Sequence, residues 1–190
     1  MAIPFEELQK ISPSAIVELF TLELIPALHN SSNIYRFHNG ANLNSNGEVI
    51  WDGNSYMRYP IEAEGFEYSS KGKLPRPKLM ASNAFGLLTA IMLNVNQTTP
   101  GNDLNGAKFT RIRTLARYID DANFSGGSNI FGTADNSVKL PDEIYFLDRK
   151  VAENREMVQW EMVSAFDLVN VKVPKRMITK TDFPGVGAFY

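Results

Sequence analysis

Residues 145–176 read YFLDRKVAENREMVQWEMVSAFDLVNVKVPKR. Two runs in and around it, 143–150 and 156–164, are rich in aromatic and β-branched residues and are bounded by polar breaks, which is how strands read. In the second run Val158, Trp160 and Met162 recur at every other position, so they share one strand face, the core face. Ala152-Glu153-Asn154 is a tight link between the two runs. A third strand is expected near 171–178, around Pro174-Lys175-Arg176. Glu153 and Glu156 alternate with Arg149, Lys150 and Arg155, the pattern of cross-strand ion pairs. A glycosidase-type carboxylate pair would instead need two acids facing one cleft. The stretch is β structure and carries no catalytic constellation.

Upstream the same kind of structure continues. Residues 3–10 (IPFEELQK) suit a short helix with Pro4 in its first turn. The run 15–24 (AIVELFTLEL) suits a strand, with a helix as the competing reading because it has no clean period of two. NIYRFH at 33–38 is a strand. Val49-Ile50-Trp51 and Tyr56-Met57-Arg58-Tyr59-Pro60-Ile61 flank Asp52-Gly53-Asn54-Ser55, a hairpin signal. Phe66–Ser70 and Lys78–Ser82 read as further strands joined through Pro75-Arg76-Pro77, where two prolines enforce an extended connection. The helical period is clearest at 83–95 (NAFGLLTAIMLNV), where Phe85, Leu88, Ile91, Met92 and Val95 fall on one face and Asn83 suits the N-cap. Residues 108–119 (KFTRIRTLARYI) predict a long strand with Arg111, Arg113 and Arg117 opposite Ile112, Ala116 and Tyr118. The Gly- and Ser-rich stretch 125–137 predicts a mobile loop. The pattern is α+β and mainly β: an antiparallel β-sandwich or barrel with one amphipathic helix.

Composition narrows function by exclusion. A chain of 190 residues with 44% hydrophobic and 21% charged side chains fits one globular domain, placed at 1–178 with a separate tail at 179–190. The formal charge of −2 lacks the surplus of Lys and Arg that a nucleic-acid binder needs. Cysteine is absent, which removes disulfides, thiolate metal sites and cysteine nucleophiles. No basic-then-apolar leader opens the chain, and no apolar run reaches membrane-spanning length, so assembly in the cytoplasm is expected. His29 and His38 have no companion ligands in sequence. Asp103, Asp120, Asp121 and Asp135 lack calcium-loop spacing, and Ser125-Gly126-Gly127-Ser128 lacks the Lys-Ser/Thr ending of a phosphate loop. Trp51, Tyr56, Tyr59 and Trp160 keep one alternative open, a carbohydrate-binding or cell-wall-acting domain that stacks aromatics on sugars.

Three blocks point further. The first is Tyr59-Pro60-Ile61, Gly65-Phe66-Glu67, Lys71-Gly72, Arg76-Pro77-Lys78-Leu79 and Ser82-Asn83. The second is Arg111, Arg113, Ala116-Arg117-Tyr118-Ile119-Asp120 and Asn123-Phe124. The third runs from Asp148 to Glu156, with Phe166-Asp167-Leu168 and Pro174-Lys175-Arg176 after it. In that order they resemble the minor tail protein L family of long-tailed, lambda-like bacteriophages. The resemblance implies a non-enzymatic structural protein of the virion, at the tail tip or baseplate hub, with a fold like tail-tube or hub domains. It implies self-association in a ring, with three copies favoured, and contacts to the distal tail protein, the central fibre or hub protein and the tape-measure protein. Roles in tail assembly and genome ejection follow, with DNA only in passage. A tail-assembly chaperone absent from the virion is the remaining alternative. Family members typically continue past the Pro-Arg-Arg element into a Cys-rich iron–sulfur module; this chain has no cysteine, so no cofactor is carried over. The interface residues expected are Arg76, held in its Pro-Arg-Pro arm, the arginines Arg111, Arg113 and Arg117, and Phe183, Val186, Phe189 and Tyr190 in the apolar tail.

Overall fold

The computed structural model of the chain describes residues 2–40, 47–68, 74–84, 86–167 and 178–187. In order these form α1 (Phe5–Leu8), β1 (Ile16–Glu23), α2 (Pro26–His29), β2 (Ile34–His38), β3 (Glu48–Trp51), β4 (Asn54–Arg58), β5 (Ile61–Glu64), β6 (Lys78–Ser82), α3 (Leu87–Thr98), β7 (Lys108–Leu115), β8 (Glu143–Glu153) and β9 (Met157–Val163). Short 3-10 turns occupy Ala116–Tyr118, Asp121–Asn123 and Ala165–Asp167. The mainly β, α+β expectation holds.

All nine strands join one sheet in the order β3-β4-β2-β1-β7-β8-β9-β6-β5. Its two ends meet. β4 and β5 are halves of one segment bent at Tyr59-Pro60. The Tyr59 N–H donates to the His38 carbonyl at 2.8 Å on one side, and Pro60 accepts from the Ser82 N–H at 2.8 Å on the other. The sheet therefore closes on itself as a barrel with β3 outside it, which settles the sandwich-or-barrel choice. Proline suits this corner because it has no N–H to leave unpaired where the strand changes partners. The pairing is not wholly antiparallel as expected: β2 and β4 run parallel, with Phe37 beside Met57.

Leu22, Phe37, Ile61, Leu79, Phe109 and Trp160, from six different strands, surround one small internal void of about 10 Å³. α3 lays Leu88, Ile91, Met92 and Val95 into the same core. A second cluster, Leu19, Val49, Trp51, Tyr56 and Ile119, lies on the opposite face of β1. β1 is thus buried on both sides, Phe20 and Leu22 inward and Leu19 outward, which is why its sequence lacks a period of two.

Several boundaries differ from expectation. The helix starts at Leu87, and Gly86 is its N-cap with φ 64°, a left-handed conformation that glycine adopts without strain. Asn83 instead ties the helix to the hairpin: it donates to the Asn154 carbonyl at 3.0 Å and accepts from the Thr89 hydroxyl at 3.0 Å. Phe85 lies outside the described residues. No strand forms at 66–68, and positions 69–73 are not described; Gly65, with φ 84°, turns the chain out of β5 instead. β7 ends at Leu115, so Ala116, Arg117 and Tyr118 leave the strand. β8 extends through Glu153, and the hairpin turns at Asn154, whose side chain accepts the Glu156 and Met157 N–H groups at 2.8 and 2.7 Å. The expected strand near 171–178 falls outside the described residues except for Ile178, which is in none.

Candidate functional site

The inner face of the barrel changes character toward one end. Along β1 and β7 the inward positions run Leu22 and Phe109, then Phe20 and Arg111, then Glu18 and Arg113, as the strand register requires. Arg111 and Arg113, expected as interface residues, therefore lie inside the barrel mouth. Arg111 pairs with Glu18 and, at 3.0 Å, with Glu143; Arg113 reaches the other Glu143 oxygen at 2.8 Å. The Phe66 ring covers this network, with the Arg111 guanidinium 4.7 Å from its centroid and Tyr145 edge-on at 5.4 Å. Burial pushes the Tyr145 hydroxyl well above its usual range, so it stays protonated. Two guanidinium planes sharing two carboxylates in three ion pairs form a polar plug here, because each charge drawn from water has a partner.

Arg117 lies apart from this network. It reaches Glu7 at 3.2 Å. Glu7 is the deepest residue of α1 at 5% exposure, and the hydrogen bond from Lys10 holds its carboxyl below the ordinary carboxylate range. Arg76 is likewise engaged within the chain, bridging Asp167 at 2.6 Å and Glu161 at 3.5 Å. Hydrogen bonds from Arg149, then Arg76, keep Glu161 ionised to lower pH than usual. Arg76 thereby fixes the chain as it leaves β9 toward the C-terminal segment. In that segment Phe183 and Val186 are 46% and 41% exposed, and Phe189 and Tyr190 lie outside the described residues.

The other polar candidates hold structure. Asp120 accepts the N–H groups of Asp52 and Gly53 at 3.2 and 2.9 Å. Asn123, fully buried, accepts from the Ile50 N–H and donates to its carbonyl, both at 2.7 Å. These two side chains occupy the outer edge of β3 as a neighbouring strand would. His29 accepts from the Ile25 N–H at 2.9 Å and donates to the Asn105 carbonyl at 3.1 Å. His38 donates to the Gly47 carbonyl at 3.0 Å, and burial lowers its pKa. Asp103 pairs with Lys150 at 2.8 Å. Among the described residues no three His, Asp or Glu side chains converge as metal ligands. The loop at 125–137 carries neither helix nor strand, and Asn129 fastens it by donating to the Ala116, Arg117 and Ile119 carbonyls.

The sugar-stacking alternative loses its basis. Trp51, Tyr56, Tyr59 and Trp160 are 3%, 4%, 5% and 1% exposed, so none presents a face to a ligand. One surface concavity, of about 440 Å³, is lined by Pro60, Ile61, Met80 and Met157 with Glu62 and Glu156. Among the described residues that line it there is no aromatic ring and no base.

What the surface does offer is apolar area around the Glu7–Arg117 pair. Phe5, Leu8 and Ile11 flank Glu7 in the chain, and Ile130 and Phe131 precede Gly132, over which Arg117 packs; all five are exposed. The sequence reading missed this patch. Its signal was the 5, 8, 11 spacing of apolar residues in and just after a short helix whose inward residue is an acid. Residues 29–184 match the family model described as phage minor tail protein L. The chain is also similar to the tail tip protein L of Escherichia phage lambda, 36% identical over 87 residues, which is 45% of this chain and 35% of that protein. The match thus spans about a third of the relative's length.

Proposed function

The chain belongs to the phage minor tail protein L family, and from that premise we propose that it is a component of the tail tip or baseplate hub, placed between the distal tail protein and the central receptor-binding protein. As a member of that family it is a structural protein of the phage tail, and so of the virion. The observation that carries the finer reading is the match over residues 29–184 to a minor tail family, joined by a relative described as a tail tip protein.

Work of this kind is mechanical. Copies of the barrel would pack around the tail axis in a ring, three copies being the favoured number, and bury apolar patches against one another and against neighbouring tail proteins. The ion-paired barrel mouth supports this reading, since a closed barrel whose buried charges are paired resists rearrangement under load. The chain is one unit over 1–178 in this proposal, and 179–190 is a docking tail whose Phe183 and Val186 meet a neighbouring protein. Tail assembly and genome ejection are the steps it would serve, with DNA passing and not held.

Cross-linking mass spectrometry on intact purified tails tests the placement. Cross-links from this chain to the distal tail protein and the central fibre protein are expected. Cross-links confined to tube subunits far from the tip would overturn it.

A further inference from the structure

The leading segment of the chain is folded inside out. Between Ala2 and Ser14 only Pro4 and Glu7 are buried, whereas Ile3, Phe5, Leu8 and Ile11 are 38%, 63%, 42% and fully exposed. An isolated domain gains nothing from pointing an acid inward and its apolar side chains at water, because the apolar faces carry the favourable burial energy. The segment is also lightly held. Ala2 forms a single bridge beside Val138, donating to the Ser137 carbonyl at 2.8 Å and accepting from the Lys139 N–H at 3.0 Å. Beyond that, Glu7 reaches Arg117. Ser12-Pro13-Ser14 then forms a poorly buried connection before β1.

The seat itself is built with care. Arg117 packs so closely over Gly132 that a Cβ there would lie 2.7 Å from its Cγ. Ile130 and Phe131, just before that glycine, are 78% and 51% exposed. Each molecule therefore carries a polar seat with an exposed apolar rim, and a segment with one matching acid and an exposed apolar face.

We propose that residues 2–14 form an arm exchanged between copies of this chain, with Glu7 of one copy seated on Arg117 of the next and the hinge at Ser12-Pro13-Ser14. The occupant is a second copy because the polar contacts are already specified: an exchanged arm keeps the Ala2 bonds and the Glu7–Arg117 pair, and only the Glu7 contact to the Ser14 N–H, in the hinge itself, changes. What it adds is cover, as Phe5, Leu8 and Ile11 cross the boundary between molecules beside the neighbour's Ile130 and Phe131. Exchange of an identical element is a low-cost route to association for this reason. The inference rests on the self-association of the preceding section and supplies its means.

The absence of cysteine gives a clean test. Full-length Ala2→Cys and Val138→Cys chains are mixed at high concentration and oxidised, with Ala2→Cys plus Gln97→Cys as the control. Sedimentation is run on the same samples. A disulfide-linked heterodimer several-fold above control is expected, because Ala2 of one copy then lies beside Val138 of another. The Ala2→Cys/Val138→Cys double variant, oxidised while dilute, should lock the arm on its own body and lose association several-fold, with recovery on reduction. Association without excess heterodimer would overturn arm exchange while leaving self-association standing. Chains that stay monomeric would overturn both.

Discussion

Asn123 has no surface and no substrate, yet its amide makes both contacts a neighbouring strand would make with Ile50, at 2.7 Å each. Asn123→Ala should leave two backbone groups unpaired and destabilise the domain by about 2–4 kcal/mol in urea unfolding. Glu7 works at the same scale with the opposite exposure to pH. Its carboxyl is depressed by Lys10, with Ser14 and Arg117 adding to the effect. The stability it gives is therefore full above its unfolded value near 4.5 and is lost as pH falls through the lower folded value. Amide exchange at Lys139, whose N–H is bonded to Ala2, should quicken below that range and in Glu7→Gln at neutral pH. Unchanged protection in both would contradict the latch. Side chains such as these were only half legible in sequence. Asp120, Asn123, Asn83 and Arg76 stood out within a family pattern, but their partners lie far along the chain, 91 residues away for Arg76 and Asp167. No local rule supplies such pairings.

The strands were legible where one face is buried and one is not. β6, β8 and β9 followed their alternation, and the Asp52-Gly53 turn gave β3 and β4. Both turn residues have positive φ, 52° and 68°, the requirement of a two-residue type I′ link. Nothing lies near the position a Gly53 Cβ would take, so Gly53→Ala should cost only its backbone strain, about 1–2 kcal/mol by thermal unfolding. A larger loss would mean that the turn carries packing not seen here. Elements failed where two rules competed. Asn83 met the N-cap preference but was drawn to Asn154, and Gly86 took the cap. KFTRIRTLARYI read as one strand because its polar and apolar residues keep alternating past Leu115, although the backbone there turns to meet the Asn129 clasp.

At the scale of the molecule, closure at Tyr59-Pro60 could not be read from any window of sequence. It depends on β4 and β5 pairing with strands at opposite ends of the sheet order. Closure also moved Arg111 and Arg113 inside, so the partner contacts proposed above fall to the exposed apolar residues Phe5, Leu8 and Phe131 and to the segment holding Phe183 and Val186. Deleting residues 182–190 should leave the melting temperature nearly unchanged, because Phe183 and Val186 are not in the core, and should lower incorporation into particles. The central claim is that this chain acts by staying in the tail as a packed part. Quantitative mass spectrometry of purified, intact phage tails tests that most directly. The expected result is the chain in every preparation, in a fixed small ratio to the distal tail protein. Its presence in assembling lysates but absence from finished tails would contradict the claim and leave a departing assembly chaperone in its place.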